Sequence, residues 1–336
     1  MGLDVPAVPA PCGAGTSAPP RRPGSIRRTS TIDATWPDGM GGETILDGRA
    51  RDLVTSPNGT ASVVAEARMR VVLDSRRLIA EIATTPERPL LDGLVGQSGM
   101  GGHRGRLAEV AAADVSAATP LHLLLDDLPG ATLVSGSAFR PWYGMERYLA
   151  GKEEVRRRVM TGVCTGYQEG SSALAPDGTL RWEQHRERAV GIDDLDDDSA
   201  WHELVDHHEV SMRRARRLDL WVSGPTVQVD AFFQDSSTLP EGGRQSIHEY
   251  ALTAEADAAG FVLRSVEPTP RVLPYRECPL AVPNTTDLIG RPLGELRPMV
   301  LSVLAGVAGC THLNDMLRSL ADAPALASAL GALSDR

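Results

Sequence analysis

The stretch RRLDLWVSGPTVQVDAFFQD, residues 216–235, indicates how the second half of the chain folds. Arg217–Val222 and Thr226–Gln234 alternate in polarity or carry aromatic residues, and both features are typical of β-strands. Ile247–Ala256 alternates in the same way, and after a hairpin turn Phe261–Val266 reads as a returning strand. These four segments therefore predict an antiparallel β-meander.

Helices are expected after the meander. Leu293–Leu304 places Leu296, Val300 and Leu304 on one stripe, which predicts an amphipathic helix. Thr311–Leu320 shows the same spacing and predicts a second helix. The fold class predicted for this half is thus α+β, with a β-meander followed by helices.

Short sequence matches between the two halves of the chain suggest an internal duplication. They occur in the same order with nearly constant spacing, and two copies are too few for a solenoid. We therefore expect two tandem pseudo-symmetric modules. The matched segments are Ile26-Arg27-Arg28 with Met212-Arg213-Arg214, Asp33 with Asp219, Asp47 and Asp52 with Asp230 and Asp235, Leu94-Val95-Gly96 with Leu288-Ile289-Gly290, and Pro120–Leu123 with Cys310–Leu313.

The duplication sets the expected domain boundaries. Residues 1–24 are rich in Pro, Ala, Gly and Ser and are predicted to be a disordered tail. Residues 25–138 form the first module, which lacks the cysteines of the second. Residues 139–210 are an insert with no counterpart. Residues 211–336 form the second module, which carries the candidate site.

Composition excludes several classes of function. The 336 residues carry a formal net charge of −10, which disfavours binding to nucleic acid and to anionic membrane surfaces. No apolar run is long enough to span a bilayer, and the first residues contain no apolar signal core. The four cysteines are irregularly spaced, so they do not suggest a disulfide framework. The cytoplasm is the expected location, where thiols stay reduced.

Cys278, Cys310, His312 and His248 are the candidate functional residues, and all lie in the second module. Cys310 follows a glycine at the expected start of a helix, where unsatisfied amides and the helix dipole favour a thiolate. The four side chains together are a candidate Cys₂His₂ metal set. Cys310, His312 and His248 are also the candidate catalytic residues.

Two acidic residues near this set have different expected roles. Asp235 is expected to hold an imidazole in its tautomer, or to act as a structural arginine partner. Glu249 follows His248 in a strand and so points to the opposite face.

The insert is less informative. Thr161–Gly170 is glycine-rich but lacks the Gly-Lys-Ser/Thr of a phosphate-binding loop. Glu153–Met160 predicts a basic helix, and Asp193–Asp198 is an acidic run typical of a solvated loop. Trp142, Tyr143, Tyr167 and Trp182 could wall a ligand pocket over the second module or form the insert's own small core.

Several motifs resemble those of a bacterial domain-of-unknown-function family. They are Val229–Asp235, His248-Glu249-Tyr250, Pro-Tyr-Arg-Glu-Cys-Pro at 274–279, Leu288-Ile289-Gly290 and Gly-Cys-Thr-His-Leu at 309–313. The resemblance covers residues 25–336 and includes single-module members. It implies no particular activity.

The second module also distantly resembles the iron–sulfur scaffolds of the NifU, IscU and SufU type, which implies a NifU/SufE-like fold. Cys278 and Cys310 fall where those scaffolds have their second and third cysteines. Ser246-Ile247-His248 stands in place of their Cys-Gly-Asp. A thiolate is thereby lost, so a zinc or iron centre suits the set better than an iron–sulfur cluster.

Three functions remain open at this point. The first is a metal-assisted or cysteine-dependent enzyme acting on a small organic or acyl substrate. The second is a metal-binding or iron–sulfur accessory protein, and the third is a non-catalytic ligand-binding or interaction protein. If the two modules pair with each other as an intramolecular pseudo-dimer, the chain is expected to be a monomer.

Overall fold

The computed structural model describes residues 8–15, 18–150, 152–193 and 196–334. Nine strands in these ranges form one antiparallel sheet with the order β4-β3-β2-β1-β6-β7-β8-β5, and β9 also pairs with β8. The strands are β1 (Ser25–Thr35), β2 (Thr44–Thr55), β3 (Ala61–Leu73), β4 (Ile79–Thr85), β5 (Glu187–Arg188), β6 (Ser211–Ser223), β7 (Thr226–Thr238), β8 (Arg244–Asp257) and β9 (Leu263–Val272).

Eight α-helices accompany the sheet in the described ranges. They are α1 (His103–Val110), α2 (Ala112–Ser116), α3 (Pro120–Ser135), α4 (Phe139–Leu149), α5 (Glu153–Arg156), α6 (Leu296–Val303), α7 (Thr311–Ser319) and α8 (Ala323–Ser334). Short 3₁₀ turns at Cys278–Ala281, Pro283–Leu288 and Leu293–Glu295 lead from β9 into α6. The predicted α+β class is confirmed, whereas the tandem pseudo-symmetric arrangement and its likeness to NifU stay predictions.

The two halves of the chain meet at β1 and β6. Ser25–Thr35 pairs with Ser211–Trp221 in antiparallel register, with Ser30 opposite Arg216. Strands β1–β4 of the first half and β6–β9 of the second half therefore belong to one continuous sheet.

The sheet has two differently covered faces. One, here called the helical face, packs against α3, α7 and α8. Its core includes Ile32, Leu46 and Leu124 in the first half, and Leu218 and Phe233 in the second. The other, here called the insert face, is partly covered by a small cluster of Ala18, Ala200, Trp201 and Ala215.

The strands of the second half are longer than the sequence pattern predicted. The predicted strand segments ended at Gln234 and resumed at Ile247, but β7 continues to Thr238 and β8 begins at Arg244. The buried hydroxyl of Thr238 accepts a hydrogen bond from the Ser211 amide at 2.9 Å and donates to the Glu209 carbonyl at 2.7 Å. Hydroxyl groups that are satisfied in this way can lie in a buried strand at little cost.

The described part of the predicted disordered tail lies against the sheet. The amides of Cys12 and Gly13 donate to the carbonyls of Pro270 and Arg271, both at 3.2 Å. Ala18 is buried, and the Pro19 carbonyl accepts a hydrogen bond from Arg27 at 2.8 Å. Composition alone misses this outcome because the segment is held by backbone groups and not by an apolar pattern. Residues 1–7 lie outside the described ranges.

The insert contacts both faces of the sheet. The buried His202 bridges two hydroxyls of β1 on the insert face, with its ring nitrogens 2.9 Å from Thr29 Oγ1 and 2.8 Å from Thr31 Oγ1. Near α7, the Thr165 amide donates to the Gly309 carbonyl at 2.8 Å. Of the basic helix expected over Glu153–Met160, only Glu153–Arg156 is helical.

Candidate metal centre

Three elements on the helical face bring a carboxylate and two imidazoles together. Asp235 near the end of β7 lies opposite His248 in β8. His312 comes from the first turn of α7, whose first helical residue is Thr311. Residues facing each other in an antiparallel pair have their Cβ atoms about 5 Å apart. Register therefore positions the first two side chains, and docking of the helix supplies the third.

The three side chains converge on one carboxylate oxygen. Asp235 Oδ2 lies 3.3 Å from His248 Nδ1 and 3.8 Å from His312 Nε2. The two imidazole rings stack with their centroids 3.4 Å apart and their planes inclined by 16°. Within the described part of the chain, these residues are the only set of three or more His, Cys, Asp or Glu whose donor atoms all lie within 4.8 Å of one another.

Both inward-facing ring nitrogens lack a satisfactory hydrogen-bond partner. His248 Nδ1 is within hydrogen-bonding distance of Asp235, but the direction from the ring is unsuitable, so Nδ1 is buried without a hydrogen bond. His312 Nε2 is likewise buried and unpartnered. Buried polar atoms are normally satisfied, so two such atoms facing one carboxylate fit the coordination of a cation.

The protonation states also suit a cation. Burial lowers the pKa of His248, and it lowers that of His312 well below the usual value, so both rings are neutral near pH 7. Burial alone would raise the pKa of Asp235, but the Arg214 guanidinium outweighs it and the pKa lies well below the normal range. Neutral imidazoles and an ionised carboxylate are the forms that bind metal.

Arg214 fixes the carboxylate of Asp235 through both of its oxygens. Its Nε and Nη2 donate to the two oxygens of Asp235 at 2.9 and 3.0 Å, and its Nη1 donates to Asp315 at 3.0 Å. The guanidinium also lies 5.0 Å from the centroid of the Phe233 ring. A bidentate arginine leaves the carboxylate few orientations, which predisposes Oδ2 to face the two rings.

Cys310 lies beside this group but differs from its expected state. It is the N-cap residue of α7, and its Sγ is 4.0 Å from His312 Nδ1. Burial raises the pKa of the thiol, whereas the amides of Leu313 and His312 and the Tyr250 hydroxyl act to lower it, and burial prevails. The predicted helix-terminus effect exists, but the expected thiolate does not form because the sulfur is enclosed in the core.

Cys278 lies with another thiol that the sequence did not single out. Both Cys278 and Cys164 are buried, and they flank Gly166, where an added Cβ would lie 2.8 Å from Cys278 Sγ and 3.8 Å from Cys164 Sγ. Electrostatic interactions couple both thiols to Cys310. Here we call Cys164, Cys278 and Cys310 the thiol group. The only sequence signal for Cys164 was its glycine-rich surroundings.

The structure therefore divides the predicted set of ligands. His248 and His312 come together. Asp235 was expected to hold an imidazole in its tautomer, but its carboxylate oxygen lies within 4.8 Å of both ring nitrogens and could itself be a ligand. Cys310 is adjacent to them, whereas Cys278 belongs to the thiol group. Glu249 faces away as expected, accepting from Gln234 at 3.0 Å on the insert face. Asp235 also has the predicted arginine partner.

Three buried histidines outside this centre make stability depend on pH. Burial lowers the pKa of His122 to about 4 and that of His202 to about 3, and it also lowers the pKa of His103. The unfolded chain takes up these protons near pH 6.5, whereas the folded chain does not. Their contribution is therefore intact above about pH 6.5 and is lost as the pH falls toward the folded values.

We expect the free energy of unfolding, measured by urea denaturation, to fall between pH 7 and pH 5. Each of these histidines adds a loss of about 1.4 kcal/mol per pH unit below its unfolded pKa. The variant His122→Gln should have a shallower pH dependence, whereas His208→Gln, at an exposed position, should follow the wild type. A stability that is constant over this pH range would show that these rings are not buried in the neutral form.

The fold and the site together define an α+β protein with a buried Asp/His/His centre on its sheet. Residues 212–326 match the family model described as Protein of unknown function (DUF2889). This match begins in β6, ends in α8 and includes the Asp/His/His centre, and it confirms the expected resemblance to a domain-of-unknown-function family over that region. No curated protein and no solved structure matches the chain. Among the described residues, no helix has the length and apolarity needed to cross a membrane.

Proposed function

We propose that this protein is a metal-dependent enzyme whose ion is bound by Asp235, His248 and His312. The observation that carries the proposal is the convergence of two unpartnered, neutral imidazole nitrogens on one ionised carboxylate oxygen. Two histidines and one carboxylate are a ligand set used by both zinc and non-haem iron(II) enzymes. These two metals are therefore the proposed cofactors.

Three protein ligands suit catalysis better than a purely structural role. Structural zinc sites are usually closed by four protein ligands, whereas catalytic sites keep a position for water or substrate. A bound zinc or iron would supply Lewis acidity at that position. Arg214 would hold Asp235 in place, and the enclosing core would restrict water around the reacting group.

A small organic or acyl compound is the proposed substrate class. Next to His312, Cys310 offers a buried thiol, and the hydroxyl of the buried Tyr250 lies beside that thiol. Buried surroundings of this kind suit a compact, largely apolar substrate with one polar function. Cytoplasmic location and a monomeric state remain part of the proposal.

A metal or iron–sulfur accessory role is the second candidate. The thiol group favours it, because three cysteines from separate segments gather beside the Asp/His/His centre. Soft thiolate ligands favour zinc, copper(I) and iron–sulfur clusters. A cysteine nucleophile acting without metal is less favoured, because burial raises the pKa of Cys310.

We also propose that the two halves are tandem modules related by duplication. Arg27 pairs with Asp219 across the β1–β6 junction, and Arg213 pairs with Asp33 in the reciprocal position. Arg28 with Asp52 in the first half likewise corresponds to Arg214 with Asp235 in the second. The same residues correspond in the sequences of the two halves. The NifU/SufE-like relationship remains a hypothesis on the motifs alone.

Elemental analysis of protein purified without oxygen tests the metal proposal. We expect about one zinc or iron per chain in the wild type. The variants His248→Ala and His312→Ala should lose it, whereas the exposed His208→Ala should retain it as the matched control. Metal retained in both His248→Ala and His312→Ala would refute the assignment. Metal lost instead in Cys164→Ser and Cys278→Ser would favour the accessory role.

A further inference from the structure

A cavity of about 440 Å³ opens on the insert face, on the side of the sheet opposite the proposed metal centre. Strands of the first half form its floor, with Arg49 from β2 and Arg68 and Arg70 from β3. Val205 and His207 of the insert form a wall. Its volume is typical of small-molecule sites, which range from roughly 300 to 1,000 Å³.

The acidic side chains at this cavity already pair with arginines of the protein. Both oxygens of Asp33 accept hydrogen bonds from Arg213, at 2.7 and 2.9 Å. Both oxygens of Asp47 accept from Arg70 Nη1 at 2.9 Å. These pairs are close to neutral, so Arg49 and Arg68 determine the charge that an incoming ligand would meet.

Arg49 and Arg68 lie directly opposite each other in the β2–β3 register. Like charges in facing positions destabilise a sheet. The charge of Arg49 is only weakly neutralised, because the carboxylate of the exposed Glu203 lies 3.6 Å from Arg49 Nη1. For Arg68, the described residues provide no ion pair. The chain as a whole has a net charge of −10, so two facing arginines at a cavity are a local exception.

We propose that this cavity binds a small organic anion, whose carboxylate or phosphate group lies between Arg49 and Arg68. An anion there would convert the repulsion of two facing guanidiniums into two charge-assisted hydrogen bonds. The apolar side chains of Ala83 and Val205 border the same space and would contact the uncharged part of the ligand. This proposal does not depend on the metal centre.

Isothermal titration calorimetry of the full chain tests the proposal, with inorganic phosphate and succinate as separate probes and with ionic strength held constant by sodium chloride. We expect saturable binding of at least one probe, at about one site per chain. Binding of phosphate alone would identify a phosphate ligand, and binding of succinate alone would identify a carboxylate. No saturable heat with either probe would overturn the proposal.

Matched variants distinguish a site from general charge screening. Arg68→Ala and Arg49→Ala should each weaken binding about tenfold, whereas Arg68→Lys should weaken it less. Arg76→Ala, at an exposed arginine outside the cavity, should bind as the wild type does. Without anion, Arg68→Ala should be no less stable than the wild type, because it removes a repulsion. Equal weakening in Arg68→Ala and Arg76→Ala would contradict the assignment.

Discussion

Replacing Gly130 by alanine is expected to lower the free energy of unfolding by about 3 kcal/mol or more. Gly130 lies in α3 where the side chain of Arg214 crosses the helix. A Cβ there would stand 2.7 Å from the guanidinium carbon and 2.7 Å from Asp315 Oδ2, and closer still to Arg214 Nη1. The arginine has no space to retreat, because it is buried and bound to Asp235 and Asp315.

This loss of stability is the opposite of what helix propensity alone would predict. Alanine in place of glycine normally stabilises a helix interior by up to about 1 kcal/mol. Gly105 in α1 provides the control, because it is exposed and no atom lies within 4 Å of an added Cβ. Urea denaturation should therefore show Gly105→Ala as neutral or stabilising and Gly130→Ala as strongly destabilising. If both variants were equally stable, Arg214 could not occupy the position described.

The second large effect is expected at Asp126, which joins α3 to the helices of the second half. Arg318 donates to both of its oxygens at 2.8 Å, and Arg297 donates at 2.6 Å. Burial alone would raise the pKa of Asp126, but these arginines and Arg104 outweigh it and hold the pKa well below the usual range. The carboxylate therefore stays ionised at the centre of a buried cluster of cations.

The variant Asp126→Asn should lower the free energy of unfolding by about 3–5 kcal/mol, because it removes the charge of the carboxylate that binds buried Arg318 through both oxygens and leaves Arg297 with Asp322 alone. Asp47→Asn removes an exposed pairing with Arg70 and should change stability by less than about 1 kcal/mol. Denaturation curves of the two variants at pH 7 give the comparison. A small effect at Asp126 would mean that water or other acids compensate these arginines.

The α+β class and most elements of the second half could be predicted from sequence because their side chains follow simple periods. Residues 226–234 and 247–256 alternate as strands, and both are strands in the structure. The helix at Thr311 began where the preceding glycine and cysteine indicated. Strand ends were missed where the buried residues are Ser and Thr, which composition marks as turn formers.

The candidate site was only partly predictable for a different reason. Motifs identified His248 and His312, but they gave Cys278 and Cys310 the same rank as these histidines. Which donors converge depends on strand register and on the depth of α7 above the sheet, and neither can be read from spacing. Asp235 was assigned a supporting role because both halves keep an aspartate at the matched position, Asp52 in the first half, although the hairpin places Asp235 opposite His248.

The junction between β1 and β6 bears on why the first half persists without the cysteines of the second. It lays an eleven-residue strand along the edge of β6, the strand that carries Arg214. Helix α3 of the first half also contains Gly130, over which Arg214 passes, and Asp127, which pairs with Arg216. Substitutions that accumulate in the first half would thus disturb the orientation of Asp235, although Asp235 lies in the second half. Natural selection acting on the Asp/His/His centre would preserve both halves together, even though all three of its residues lie in one of them.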